Sequence, residues 1–146
     1  MEDFHVFINQ YLAKWKTADV EFIADVIDEA FQGVEVRDGI LSHYGKELSV
    51  TGWKQAFAYF EDKKMEWVLT PISILSLNDR EIMAIIRATM TLDGKLIETS
   101  NLFFQTFTNK NGMWKLIRTY EANWYYEYIN TGHCLVTKKS NLKKSA

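Results

Sequence analysis

MEWVLTPISILSL (65–77), REIMAIIRATMTL (80–92), KLIETSNLFFQTF (95–107) and GMWKLIRTYEA (112–122) follow one another along the second half of the chain. Ile, Thr, Phe, Trp and Tyr crowd these segments, and such residues fit a pleated, half-buried surface. The turn sequences ND, DG and NKNG separate them where hairpins belong. The pattern predicts a long antiparallel sheet. At roughly 3.3 Å per residue a 13-residue strand runs about 43 Å, whereas a compact chain of this size has a radius of gyration of about 15 Å. Such a sheet has to bend. With helices on its concave side it encloses a pocket of the kind that takes small molecules.

Upstream of the sheet the periodicity is helical. Phe4, Phe7, Ile8, Tyr11, Leu12 and Trp15 lie along one face of a helix over residues 3–16. Thr17, Ala18 and Asp19 stop it and cap a second helix, in which Phe22, Ile23, Val26, Ile27, Ala30 and Phe31 keep the period until Gly33. VEVRD (34–38) reads as a short strand and GILSHYGKELSV (39–50) as a loop. A third helix starts from a Thr51 cap and turns Trp53, Ala56, Phe57 and Phe60 inward.

Opposite partners across a hairpin share a face, and the face alternates along each strand. Counting from the turns puts Trp67, Leu75, Ile86, Asn101, Phe103, Trp114, Leu116, Arg118 and Tyr120 on the side that meets the helices. The other side carries Ile72, Ile74, Ile85, Arg87, Leu102, Phe104, Ile117, Thr119 and Glu121, a surface too apolar to face water. Two covers suit it. One is a second copy packed sheet to sheet, with Arg87 paired to Glu121 in a two-fold homodimer; the other is residues 124–137 folded back.

Composition bounds the rest. The 146 residues are 47% hydrophobic, enough for one domain, assigned to residues 1–137, with a lysine-rich flexible tail over 138–146. The formal charge is −2, and Lys138, Lys139, Lys143 and Lys144 sit in that tail, so the remainder is more acidic still. This balance speaks against a nucleic-acid surface. MEDFHVFINQ (1–10) lacks the basic-then-apolar pattern of a leader, and no segment is long enough to span a bilayer, so no membrane partner is expected. The single cysteine, Cys134, fits a reducing cytoplasm, where the protein is expected to reside. His5, His43 and His133 are scattered without metal-ligand spacing, and no nucleotide loop or serine elbow occurs; no cofactor is predicted.

The helix NQYLAKWKTAD (9–19), the passage IADVIDEAFQGVEVRDG (23–39), the helix TGWKQAFAYFED (51–62) and the hairpin LFFQTFTNKNGMWKLIRTYEA (102–122) resemble the nuclear transport factor 2-like superfamily, which includes ketosteroid isomerases and SnoaL-type polyketide cyclases. The resemblance spans residues 3–122. It implies an α+β, cystatin-like cone: a strongly bent antiparallel sheet wrapped around three N-terminal helices, with a central pocket. It also implies dimers through the outer sheet face. The same architecture carries enzymes, binding proteins and dimerisation modules.

For the isomerase branch, the resemblance implies Tyr11 as donor to a developing oxyanion and Asp38 as the proton carrier. The second donor of that branch, a protonated carboxylic acid, corresponds here to Phe103 and is missing; Asn101 and Tyr120 are substitutes on the same face. Each residue also has a plainer reading. Tyr11 lies in an apolar stripe and reads as core, Asp38-Gly39 reads as a turn, and Arg118 either holds an anionic group or pairs with Glu35 or Asp38. Trp15, Trp53, Phe57, Trp67, Asn101, Phe103, Arg118 and Tyr120 are the expected ligand-binding lining, with Tyr11, Trp53, Asn101 and Tyr120 together around the cavity and Asp38 near its mouth or floor.

Two functions follow. The first is a binding module holding a small, largely apolar or aromatic molecule in the cone. The second is an isomerase, cyclase or dehydratase that moves a proton next to a carbonyl, with Asp38 as general base and Tyr11 as oxyanion donor. The missing donor favours the first.

Overall fold

The computed structural model describes residues 3–125. Cys134, His133 and the lysine-rich tail lie outside the described residues. The elements run α1 (Phe4–Lys16), α2 (Val20–Val26), β1 (Ile27–Arg37), β2 (Ile40–Tyr44), α3 (Lys46–Phe60), β3 (Met65–Ser76), β4 (Glu81–Leu92), β5 (Lys95–Leu96), β6 (Thr99–Lys110) and β7 (Met113–Tyr125). No helix among the described residues is long and apolar enough to cross a membrane.

Asp3 opens α1 by accepting the His5 amide at 2.7 Å, and Lys14 and Lys16 sit in its last turn, where cations suit the helix dipole. Phe4, Phe7, Ile8, Tyr11, Leu12 and Trp15 are buried, as their spacing predicts. Asp19 caps α2 through the Phe22 amide at 3.1 Å. This helix stops at Val26, shorter than the periodicity predicts, because residues 27–31 already belong to β1. Ile27 pairs with Leu116 of β7, and both Ile27 and Phe31 are buried; tertiary pairing overrides a helical period that the apolar residues fit equally well. The expected loop over 39–50 holds β2 and the first turn of α3, whose inward face is Ser49, Trp53, Ala56 and Phe60. Thr51 is thus inside α3 and does not cap it.

The seven strands form one sheet in the order β2-β1-β7-β6-β4-β3, with β5 against β4. β1 and β7 run parallel, and the other pairs are antiparallel. Helix α1 packs on the concave face. Tyr11, Trp15, Ile23, Ile27, Ile86, Phe107 and Leu116 are fully buried there. Burying a large apolar side chain stabilises by about 1.5–3 kcal/mol.

Two bulges change which residues face the helices. In β3, Pro71 pairs with Ile86 and Ser73 with Ile85, leaving Ile72 as the extra residue. Proline lacks the amide that a ladder needs and is tolerated because β3 is an edge strand. Past the bulge Ile74 packs against the core and Leu75 is exposed, the reverse of strict alternation. In β7, Thr106 pairs with Arg118 and Phe107 with Leu116, so Ile117 is extra. Thr119 and Glu121 therefore turn into the concave side, and Arg118 and Tyr120 turn out. Arg118 joins Glu81 in an ion pair, and Tyr120 meets Phe104 at 6.0 Å on the convex face. With Glu121 inside, the Arg87–Glu121 pairing between two copies has no basis.

Candidate functional site

The concave sheet, α1 and α3 enclose a cavity of about 520 Å³, within the roughly 300–1,000 Å³ typical of small-molecule pockets. One end is aromatic. Trp15 from α1 stands edge-on to Trp53 of α3 at 4.8 Å and 89°, to Phe103 of β6 at 5.1 Å and 90°, and to Trp67 of β3 at 5.9 Å and 67°. Such T-shaped contacts suit the ring quadrupoles and fix the walls. Phe60 and Met90 add to this lining.

The other end is polar and comes from β1, β2 and β7. Parallel pairing sets Glu35 beside Glu121, and both line the cavity with Arg37, Tyr44 and Thr119. Arg37 reaches back to Glu35 through Nε at 3.3 Å and Nη2 at 3.5 Å. Burial pushes the Glu121 carboxyl up to about 7. The neighbouring charge of Glu35 pushes the same way, Arg37 opposes, and a hydrogen bond that protonated Glu121 donates to Glu35 adds to the rise. Burial, then the charges of Glu121 and Glu35, raises the Tyr44 phenol above its ordinary range. The Tyr44 ring lies across Gly33, where any Cβ would overlap it, so only glycine lets the ring reach this position.

Beneath the cavity, Tyr11 donates to Gln105 Oε1 at 3.0 Å. Its hydroxyl is fully buried, which raises its pKa, and Gln105 separates it from the cavity it was expected to line. Trp15 Nε1 and Thr119 Oγ1 are buried, with no hydrogen-bond partner among the described residues.

Several expected site residues meet here. Trp15, Trp53, Trp67, Asn101 and Phe103 all line the cavity. Phe57 packs on Trp53 at 5.5 Å and stays outside the lining, among the residues that flank the core. Arg118 and Tyr120 are on the convex face, displaced by the β7 bulge. Asp38 is exposed in the two-residue turn between β1 and β2, with φ 53° followed by 76° at Gly39. Successive positive φ angles are those of a type I′ hairpin, so Asp38 takes its turn reading and lies outside the cavity. Glu35, Arg37, Tyr44, Gln105, Thr119 and Glu121 are the lining residues that strand alternation did not bring together. Pro71 within a strand signals the first bulge. For the second, the only sequence signal is the adjacent apolar pair Leu116-Ile117.

No protein-family model matches the sequence, and no curated protein matches it at a significant level. Solved structures do. The chain is similar to an uncharacterized protein with a cystatin-like fold from Caulobacter vibrioides, at TM-score 0.64 and 16% identity, over 88% of this chain and 92% of that one. An NTF2-like protein of unknown function in nutrient uptake from Rhodospirillum rubrum gives TM-score 0.61 and 14% identity, over 83% and 98%. An NTF2-like protein from Cytophaga hutchinsonii gives 0.60 and 11%, over 85% and 100%. The chain thus has the α+β cystatin-like cone of NTF2-like proteins. Likeness at these identities establishes the fold and leaves ligand and chemistry to the site itself.

Proposed function

We propose that this protein is a small-molecule binding domain whose cone holds a flat, largely apolar or aromatic ligand. One observation carries this reading: a cavity of about 520 Å³ joins a wall of edge-on aromatic rings to a half-buried carboxyl. The ligand's body lies between Trp15, Trp53, Trp67 and Phe103, and its polar atoms meet Glu121, Tyr44 and Asn101. Native mass spectrometry of the purified protein tests this. Wild type is expected to carry a small adduct that Trp53→Ala loses; the same spectrum from both, without an adduct, would overturn the reading.

Proton transfer is a second reading, now centred on Glu121 in place of Asp38. It is favoured by a carboxyl that titrates near neutrality inside a pocket. Deuterium exchange at the α-carbon of a bound ketone, lost in Glu121→Gln, is its expected signature, and no exchange in wild type would remove it.

A second copy of the chain is the proposed cover of the convex face. Ile72, Leu75 and Tyr120 are 50%, 46% and 37% exposed there, and an isologous sheet-to-sheet contact would bury all three twice over.

A further inference from the structure

Three features of the cavity bear on the class of ligand. Among the described residues its lining contains two carboxylates, Glu35 and Glu121, against one guanidinium, Arg37, and no lysine or histidine. Arg37 is engaged with Glu35 through both Nε and Nη2. Among the described residues no cation is hydrogen-bonded to Glu121, which feels Arg37 only across Glu35's bonds and is held where an ionised group is costly unless paired. Phe103 pairs directly with Glu121 across β6 and β7 and packs on Trp15, so the aromatic wall begins beside this carboxyl. Ring faces next to a carboxylate attract organic cations.

The unpartnered groups give a second, independent indication. Trp15 is 1% exposed and Thr119 5% exposed, both line the cavity, and neither Trp15 Nε1 nor Thr119 Oγ1 has a hydrogen-bond partner among the described residues. Buried polar atoms are nearly always satisfied, so these two mark the cavity wall as a place where the packing leaves polar groups unmet. Thr119 precedes Glu121 by two residues on the same side of β7, about 7 Å along the strand.

Resting on the binding reading above, we propose that the cone is a receptor for an arylalkylamine, with its rings on the aromatic wall and its protonated nitrogen on Glu121. The titratable and charged groups facing Glu121 are Glu35 and Arg37 from β1 and Tyr44 from β2; α3 and β6 present none to the cavity. Because the Glu121 carboxyl titrates at about 7, the bound cation displaces a proton that the empty site holds part of the time. Binding weakens as the pH falls below that value.

The test compares 2-(2-naphthyl)ethylamine with 2-(2-naphthyl)ethanol, a matched pair differing in charge, by isothermal calorimetry. The amine stays protonated from pH 5.5 to 8, so any change in preference reports the protein. At pH 8 the amine is expected to bind about tenfold tighter or better, with the preference shrinking toward parity at pH 5.5. In Glu121→Gln the preference for the amine over the alcohol disappears. In wild type at pH 7, buffers of different ionisation enthalpy are expected to show net proton release with the amine and none with the alcohol, a measurement independent of any variant. An alcohol that binds as tightly as the amine at pH 8, or amine binding without proton release, overturns the cation site and leaves the cone reading standing. Failure of both compounds to bind at millimolar concentration overturns the two together.

Discussion

Glu35 and Glu121 stand side by side on the parallel strands β1 and β7, both lining the cone, with Arg37 on the far side of Glu35. The pair sets the pH behaviour of the fold. Glu121 holds its proton up to about 7 when folded, against an ordinary value of 4.5. Between those values the folded chain binds more protons than the unfolded chain, so stability falls as pH rises through this window and levels off above it. The penalty of ionised Glu121 above the window is on the order of 3 kcal/mol. Glu121→Gln is therefore expected to raise Tm by about 5 °C or more at pH 8 and to change it little at pH 4. Equal Tm values for wild type and variant at pH 8 would show that Glu121 ionises freely.

Gly33 and Tyr44 form a backbone-to-ring contact that leaves no room for a Cβ. Gly33→Ala should cost about 1–3 kcal/mol by overpacking and push the Tyr44 ring out of the polar end. In a Tyr44→Ala background the same substitution should cost much less, a coupling that a double-mutant cycle on urea midpoints will read. Equal costs in the two backgrounds would mean that the ring does not lie on the glycine.

Tyr11 supports the site from below. Tyr11→Phe leaves Gln105 Oε1 buried without its donor, a loss of about 1–2 kcal/mol, and Tm should fall by several degrees. Affinity for a cavity ligand should stay within a factor of about two, because Tyr11 is outside the lining. A tenfold loss of affinity at unchanged Tm would instead put the hydroxyl in contact with ligand.

The proposed dimer predicts that Ile72→Lys and Tyr120→Lys, both at exposed positions of the convex face, give folded monomers with unchanged circular dichroism. Sedimentation velocity at micromolar concentration checks this. Wild type sedimenting as a monomer would reject the dimer.

Elements with a single consistent pattern were legible in the sequence. The α1 stripe, the Asp19 cap, the first, second and fourth long segments and the turns appear where periodicity and turn chemistry put them, whereas the third segment breaks at residues 97–98 into β5 and β6. Residues 27–31 were not legible, because Ile27 and Phe31 satisfy a helical period and a strand equally and only the pairing of β1 with β7 decides. The aromatic half of the site was legible, since Trp15, Trp53, Trp67 and Phe103 fall on strongly patterned faces. Its polar half was not. A bulge adds one residue without changing composition, and the one at Ile117 exchanges Arg118 and Tyr120 for Thr119 and Glu121 in the cavity. The reading of Asp38 as a base depended on a position at the mouth or floor of the cone, whereas Asp38 is exposed in a hairpin turn and outside the lining.

The central claim is that the β7 bulge turns the Glu121 carboxyl into the cone, where burial and Glu35 set its chemistry. Carbon-13 NMR of the glutamate side-chain carboxyls, with Glu121 assigned by its loss in Glu121→Gln, measures this directly. The expected midpoint lies near 7 and moves downward when a cavity amine binds. A midpoint at the ordinary 4.5, indifferent to ligand, would place Glu121 in solvent and contradict it.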